Sequence, residues 1–205
     1  MSTSTTLAGP DGQPRCRWCA ATPDFLPYHD HEWGFPVADD RRLFEKICLE
    51  GFQSGLSWRT ILAKRENFRR AFLDFDFHQL AHFGDSDIER LIQDPSIVRH
   101  RGKIAATINN AARAVELVAE QGSLAAYFWQ WEPAPETLPP PQSQTTSATA
   151  VALSKDLKKR GWAFVGPTTI YSFMQAMGLI NDHVQGCHTR EAVARARTHF
   201  VRPKG

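Results

Sequence analysis

Four cysteines in 205 residues are too few to frame a secreted, disulfide-held domain. They suit a reducing, intracellular setting in which thiols act as ligands or as small buried apolar groups. The sequence also lacks an apolar run long enough to cross a bilayer and lacks a charged-then-apolar leader, so the expectation is a cytoplasmic protein with no membrane partner. Net charge is only +2, which excludes nucleic-acid binding by bulk positive charge and leaves that role to local basic patches. There is no internal repeat and no alternating strand pattern. Apolar positions recur at helical spacing instead, and the expected class is all-α.

A composition that is 42% hydrophobic and 22% charged supports one sizeable core. Residues 1–14, rich in Ser, Thr, Gly and Pro, read as an unfolded tail; residues 15–190 read as a single domain of two lobes, and residues 191–205 as a C-terminal extension. Asp39 or Asp40 can cap a helix carrying Leu43, Phe44, Ile47 and Cys48, and Ser57 can cap the next. Asp76 opens a short helix, and Ser86 with Glu89 has the spacing of a capping box. Asp94-Pro95 stops that helix, and after Arg101-Gly102 another begins with Ile104, Ile108, Ala111 and Val115. Residues 132–148, with five prolines, read as a connection that links rather than acts.

Two short segments far apart in sequence each carry one Cys and one His. Cys16, His29, His183 and Cys187 together would supply the four thiolate and imidazole ligands that a tetrahedral zinc site prefers. Cys19, His31 and His188 are alternatives that spacing leaves open. On the helix after Asp40, a turn of about 100° per residue places Glu50 between Leu43 and Ile47 and sends Glu45 to the opposite side. A carboxylate on an apolar face is either paired internally or faces a ligand. Trp18, Phe25, Tyr28, Trp33 and Trp58 flank these segments and could close over a flat cationic ligand beside Glu50. Among three basic patches, the one at Arg99, Arg101, Gly102 and Lys103 lies at a helix start, where Gly102 suits a positive-φ turn and free amides could meet a phosphate.

Cys16-Arg17-Trp18, Tyr28-His29-Asp30-His31-Glu32-Trp33-Gly34, Ile47-Cys48-Leu49-Glu50-Gly51, Gly55-Leu56-Ser57-Trp58, Lys64-Arg65-Glu66-Asn67, Arg99-His100-Arg101-Gly102-Lys103, Tyr171-Ser172-Phe173-Met174-Gln175-Ala176 and Asn181-Asp182-His183-Val184 follow one another in an ordered series. This series closely resembles the 3-methyladenine DNA glycosylase I family over residues 15–187. The resemblance implies a helix-hairpin-helix DNA glycosylase-like fold with a zinc-binding lobe joining the N- and C-terminal segments. It further implies a monomeric base-excision repair hydrolase of the bacterial cytosol or nucleoid, which frees 3-methyladenine, with 3-methylguanine a second candidate, from double-stranded DNA without cutting the strand. Carried over by position, it places one structural Zn2+ on Cys16, His29, His183 and Cys187. It places the base pocket on Glu50, which also carries the catalytic role, with Trp58, Tyr28, Trp18 and the pocket-edge Phe25, and the DNA contacts on Arg99, Arg101, Gly102 and Lys103. Phe25 stands where the family carries Tyr.

Between Lys103 and Lys155 the chain has no Asp, the residue that follows the hairpin as catalyst in the wider superfamily. A base made cationic by methylation leaves as a neutral molecule and needs no general acid, so catalysis can rest on extrusion and binding. Two other classes fit parts of the sequence: a zinc-stabilised module that binds damaged DNA without cutting it, and a zinc hydrolase with His29 or His183 at an open metal.

Overall fold

Side-chain caps decide where most helices of this chain begin. In the computed structural model, which describes residues 5–204, α1 (Phe25–His31) leads to α2 (Asp40–Gln53), whose first turn is closed by Asp39 accepting from the Arg42 amide at 2.8 Å. Ser57 caps α3 (Trp58–Ala63), and α4 (Arg65–Ala71) follows it. Asp76 caps α5 (Phe77–Leu80). The cap of α6 (Asp85–Ile92) is Gly84 rather than Ser86: the Asp87 carboxylate accepts from the Gly84 amide at 3.1 Å, so the helix starts earlier than the Ser86–Glu89 spacing suggests. After the turn come α7 (Arg101–Gln121), α8 (Leu124–Trp129), α9 (Ala148–Lys159), α10 (Pro167–Ala176) and α11 (His188–His199).

Helices α2 and α7 run through the centre. α2 packs on α7, α8 and α10, while α5, α6 and α8 lie against α7 and α9 lies against α10. The seam between α2 and α4 is made of phenyl rings, with Phe52 and Phe68 4.6 Å apart and Phe72 behind them, all fully buried. Each such ring contributes about 1.5–3 kcal/mol on burial. Among the described residues no helix is long and apolar enough to cross a membrane.

Two expectations about the N-terminal segment are corrected. Thr6–Ala8 (β1) pairs antiparallel with Pro14–Cys16 (β2), so a small sheet stands where an unfolded tail and no strand were expected; residues 1–4 lie outside the described residues. Ion pairing holds this hairpin, which is why no apolar alternation announces it. Arg15 on β2 is buried and bridges Asp11 at 2.6 Å and Asp30 of α1 at 2.8 Å. At the other end, α11 runs across the expected boundary at residue 190, with Thr189 and Val193 buried.

The two chain ends meet where the segment after α1 packs on the end of α10. Gly34 and Val37 donate amides to the carbonyls of Ala176 and Met177, each at 3.2 Å. Gly178, at φ +78°, passes so close that a Cβ there would lie 2.5 Å from the Phe35 and Pro36 backbone. Only glycine meets both the conformation and the approach.

Candidate active site and metal cluster

Cys16 at the end of β2, His29 on α1, His183 and Cys187 are all buried, and their ligand atoms lie within 4.8 Å of one another. Cys19 is buried outside this set; His31 is exposed, and His188 faces Asp30 at 3.3 Å instead. The outer partners fix which nitrogen of each ring points inward. His29 Nδ1 lies 2.7 Å from the Asp30 carboxylate, an acceptor, and so carries the proton, which leaves the Nε2 lone pair toward Cys187 Sγ at 3.5 Å. His183 Nε2 donates to the Trp33 carbonyl at 2.9 Å, leaving Nδ1 toward Cys187 at 3.5 Å and Cys16 at 3.7 Å. Against the cost of its burial, hydrogen bonds from Arg15 and His29 hold the Asp30 carboxyl well below the usual range. A hydrogen bond from the Cys16 thiol draws the Cys187 thiol below its ordinary value. Two soft thiolates and two neutral imidazoles are a donor set that can hold a metal ion with four protein ligands.

This cluster sets the walls of a pocket. Trp18 packs edge-on against His29 at 5.4 Å and against Trp33 at 5.1 Å, and Trp33 packs on His183 at 4.7 Å. Gly34, at φ +86°, lets the chain pass beside the His183 ring, where a Cβ would stand 3.2 Å away. Trp18, Tyr28, Trp33 and Trp58 then line a cavity of about 210 Å³, with Tyr28 and Trp58 rings 5.3 Å apart. Glu50 lies on its wall and is 6% exposed, so a buried carboxylate faces an aromatic cavity.

Glu50 is also paired: Lys46, one turn earlier on α2, places Nζ 2.9 Å from Glu50 Oε1. Of the alternatives read from the sequence, internal pairing holds, and the paired carboxylate also lines the cavity. Glu45 was expected to point away from the core, yet it is buried as well, because Arg69 of α4 closes over it at 2.9 Å. Phe25 does not reach the cavity; it stands behind Trp18, edge-on at 5.7 Å.

Gln53, Gln142, Ser172 and Gln175 complete the lining and were missed by sequence reasoning, as was Lys46 behind the wall. Gln53 follows Glu50 by three, and Ser172 and Gln175 share one face of α10, so helical spacing carried the signal for those three. Gln142 carried none. It belongs to the proline-rich connection expected only to link, and it is fixed at φ 57° by two hydrogen bonds of 3.0 Å to Asp182, the residue before a metal-cluster histidine.

The basic patches divide sharply. Lys64 donates to the carbonyls of Pro95 and Ser96, Arg65 pairs with Glu32 at 2.5 Å, and Arg69 pairs with Glu45 and Glu66. That patch braces the fold. At the hairpin, Arg99 and Arg101 are exposed, Arg101 pairing with Glu89 at 2.7 Å. Two expectations there are corrected. Gly102 lies inside α7 without a positive φ. Lys103 is buried and donates through Nζ to the carbonyls of Phe52 at 2.8 Å and of Ser54, satisfying the C-terminal end of α2 rather than facing solvent. His100 caps α7 by accepting from the Lys103 amide at 3.2 Å, so that amide is not free for an anion.

Pocket and hairpin stand on the helical scaffold of the helix-hairpin-helix DNA glycosylases, and comparison with known proteins narrows that class. The chain belongs to the methyladenine glycosylase family, whose model matches residues 18–191. It is 47% identical over 177 residues to DNA-3-methyladenine glycosylase 1 of Escherichia coli K12, covering 84% of this chain and 95% of that protein. The Haemophilus influenzae DNA-3-methyladenine glycosylase is 42% identical over 177 residues, covering 84% and 96%. A solved Tyr-to-Phe variant of 3-methyladenine DNA glycosylase I in complex with 3-methyladenine superposes with a TM-score of 0.81 at 37% identity, over 86% of this chain and 97% of that one.

Proposed function

We propose that this chain hydrolyses the N-glycosidic bond of 3-methyladenine in alkylated double-stranded DNA, with the flipped base held between Trp58, Tyr28 and Trp18 against Glu50. The observation that carries this reading is the buried carboxylate on the wall of an aromatic cavity sized for one base. Methylation at N3 makes the base ring cationic. When the bond from C1′ to the base breaks, its electron pair enters the ring and the base leaves neutral; water then adds at C1′ and gives up a proton to solvent. Glu50 accepts hydrogen bonds from the base edge and favours its positive charge, and the rings cover its faces.

The four cluster residues would hold zinc, which when bound supplies a cross-link between the chain ends and no chemistry at the base. The full complement of four protein donors supports a structural role and leaves no open position of the kind a zinc hydrolase uses. Arg99 and Arg101 would hold the DNA backbone, while Lys103 works from inside the fold.

The test is chromatography of bases freed from methylated DNA by the purified protein. A 3-methyladenine peak is expected, with the sugar-phosphate strand left intact. Neutral hypoxanthine, whose departure needs protonation, should stay bound to its strand. DNA binding without base release would return the chain to the class of damage-binding modules.

A further inference from the structure

Lysine is among the residues least often buried, yet Lys46 is 5% exposed in the middle of α2. Its ammonium lies 2.9 Å from Glu50 Oε1, donates to Tyr28 Oη at 2.6 Å and stands 3.5 Å from the centre of the Trp58 ring. One cation thus touches three of the groups assigned above to the flipped base. It reaches them from a small cleft on the far side of Tyr28 and Trp58, since those two rings line both that cleft and the base cavity.

The other charges around the cleft cancel one another. Glu32 beyond α1 pairs with Arg65 of α4, Glu45 of α2 pairs with Arg69 of α4, and Arg42 is exposed to solvent. Lys46 and Glu50 are left to balance each other. Burial pulls the Lys46 pKa down, and Glu50 opposes that fall. An ammonium against Trp58 also takes up part of the ring's attraction for a second cation.

We propose that Lys46 is a positioning and specificity-determining residue of the base pocket: it holds Glu50 in place and offsets its charge, so that the pocket selects its base by shape and hydrogen bonding more than by net charge. The proposal rests on the reading of Glu50 and Trp58 as base-binding residues. Lys46→Met keeps the length of the side chain and removes its charge. The carboxylate left behind attracts a cationic base more strongly while ionised, but as an unpaired buried acid it takes up a proton more readily.

Single-turnover release of 3-methyladenine from methylated DNA, followed from pH 5 to pH 9, reads both effects. The expected profile of Lys46→Met matches or exceeds wild type at the alkaline end and falls about tenfold per pH unit below the new carboxylate pKa. Wild type and Lys46→Arg hold their rates further into acid. In a Glu50→Gln background the sign reverses: that variant leaves a buried ammonium facing the base, so adding Lys46→Met should raise release several-fold. The doubly substituted protein buries neither charge, and it carries the test if Lys46→Met alone does not fold. Wild-type release with an unchanged Lys46→Met profile, or with no gain in the Glu50→Gln background, overturns the role of Lys46 and leaves the function intact. Absence of release by wild type overturns the function instead.

Discussion

The candidate metal cluster and the hairpin solve the problem of placing charge in opposite ways. Cys16 and His183 meet across 167 residues of sequence in a fully buried site, where each imidazole is fixed by an outer partner, Asp30 or the Trp33 carbonyl. The hairpin is local in sequence, its Arg99 and Arg101 are exposed, and Arg101 pairs with the surface carboxylate of Glu89. Changes in the first region should act on the fold as a whole, because a buried polar group left without its partner has no water to turn to. Changes at Arg99 and Arg101 should act on DNA affinity alone and weaken with salt.

The largest expected effect sharpens the first half of that comparison. If the cluster holds a metal, Cys16→Ser removes one of the four donors that join the chain ends and should cost at least about 3 kcal/mol, roughly 6–12 °C in Tm, with loss of that metal. Cys19→Ser, equally buried but outside the cluster, should keep the metal; metal analysis beside a thermal melt checks both. Loss of metal in Cys19→Ser instead would reassign the ligands.

Next comes the pocket, which stands between the two extremes. Trp58→Ala should weaken binding of free 3-methyladenine by about 1–3 kcal/mol through lost ring contact, measured by calorimetric titration with circular dichroism as the folding control. Affinity equal to wild type would remove Trp58 from the pocket.

Lys103 and Arg101, two residues apart, then break or confirm the contrast within one hairpin. Lys103→Ala leaves the Phe52 and Ser54 carbonyls without their donor and should cost about 1–3 kcal/mol of stability, seen in urea unfolding, with little change in the salt dependence of DNA binding. The smallest effect on the fold belongs to Arg101→Ala, within about 0.5 kcal/mol. Its signature is a salt dependence flattened by about one unit for the lost phosphate contact. A flattened slope in Lys103→Ala alone would invert the assignment.

Much of the candidate site was legible because it is written in residue types with narrow uses. Glu50 on an apolar helix face and two Cys–His pairs at opposite ends are each costly to bury without a purpose, so they stand out in one dimension. Lys46 did not stand out, since a lysine on a helix ordinarily means a solvated face and only the packing of α1, α3 and α4 around it shows otherwise. Gln142 was hidden for the same reason, within a proline-rich stretch whose path is fixed by Asp182 from another part of the chain. Phe25 erred by one layer: it is close to the pocket in sequence but stands behind Trp18 in space.

The sequence by itself determined the helical class, the helix starts at Ser57 and Asp76 and, to within one residue, at Asp39 or Asp40, the Cys and His types from which the candidate metal cluster is drawn and the apolar-face position of Glu50, because caps, periodicity and the cost of burying charge act within a few residues. Tertiary structure alone decided that Thr6–Ala8 pairs with Pro14–Cys16, that Lys103 turns inward to α2, and that Lys46 shares the pocket wall with Tyr28 and Trp58. In each of those cases the partner is a backbone strand, a carbonyl or a ring supplied by another element, and a charged side chain takes whichever partner the fold brings within hydrogen-bond reach.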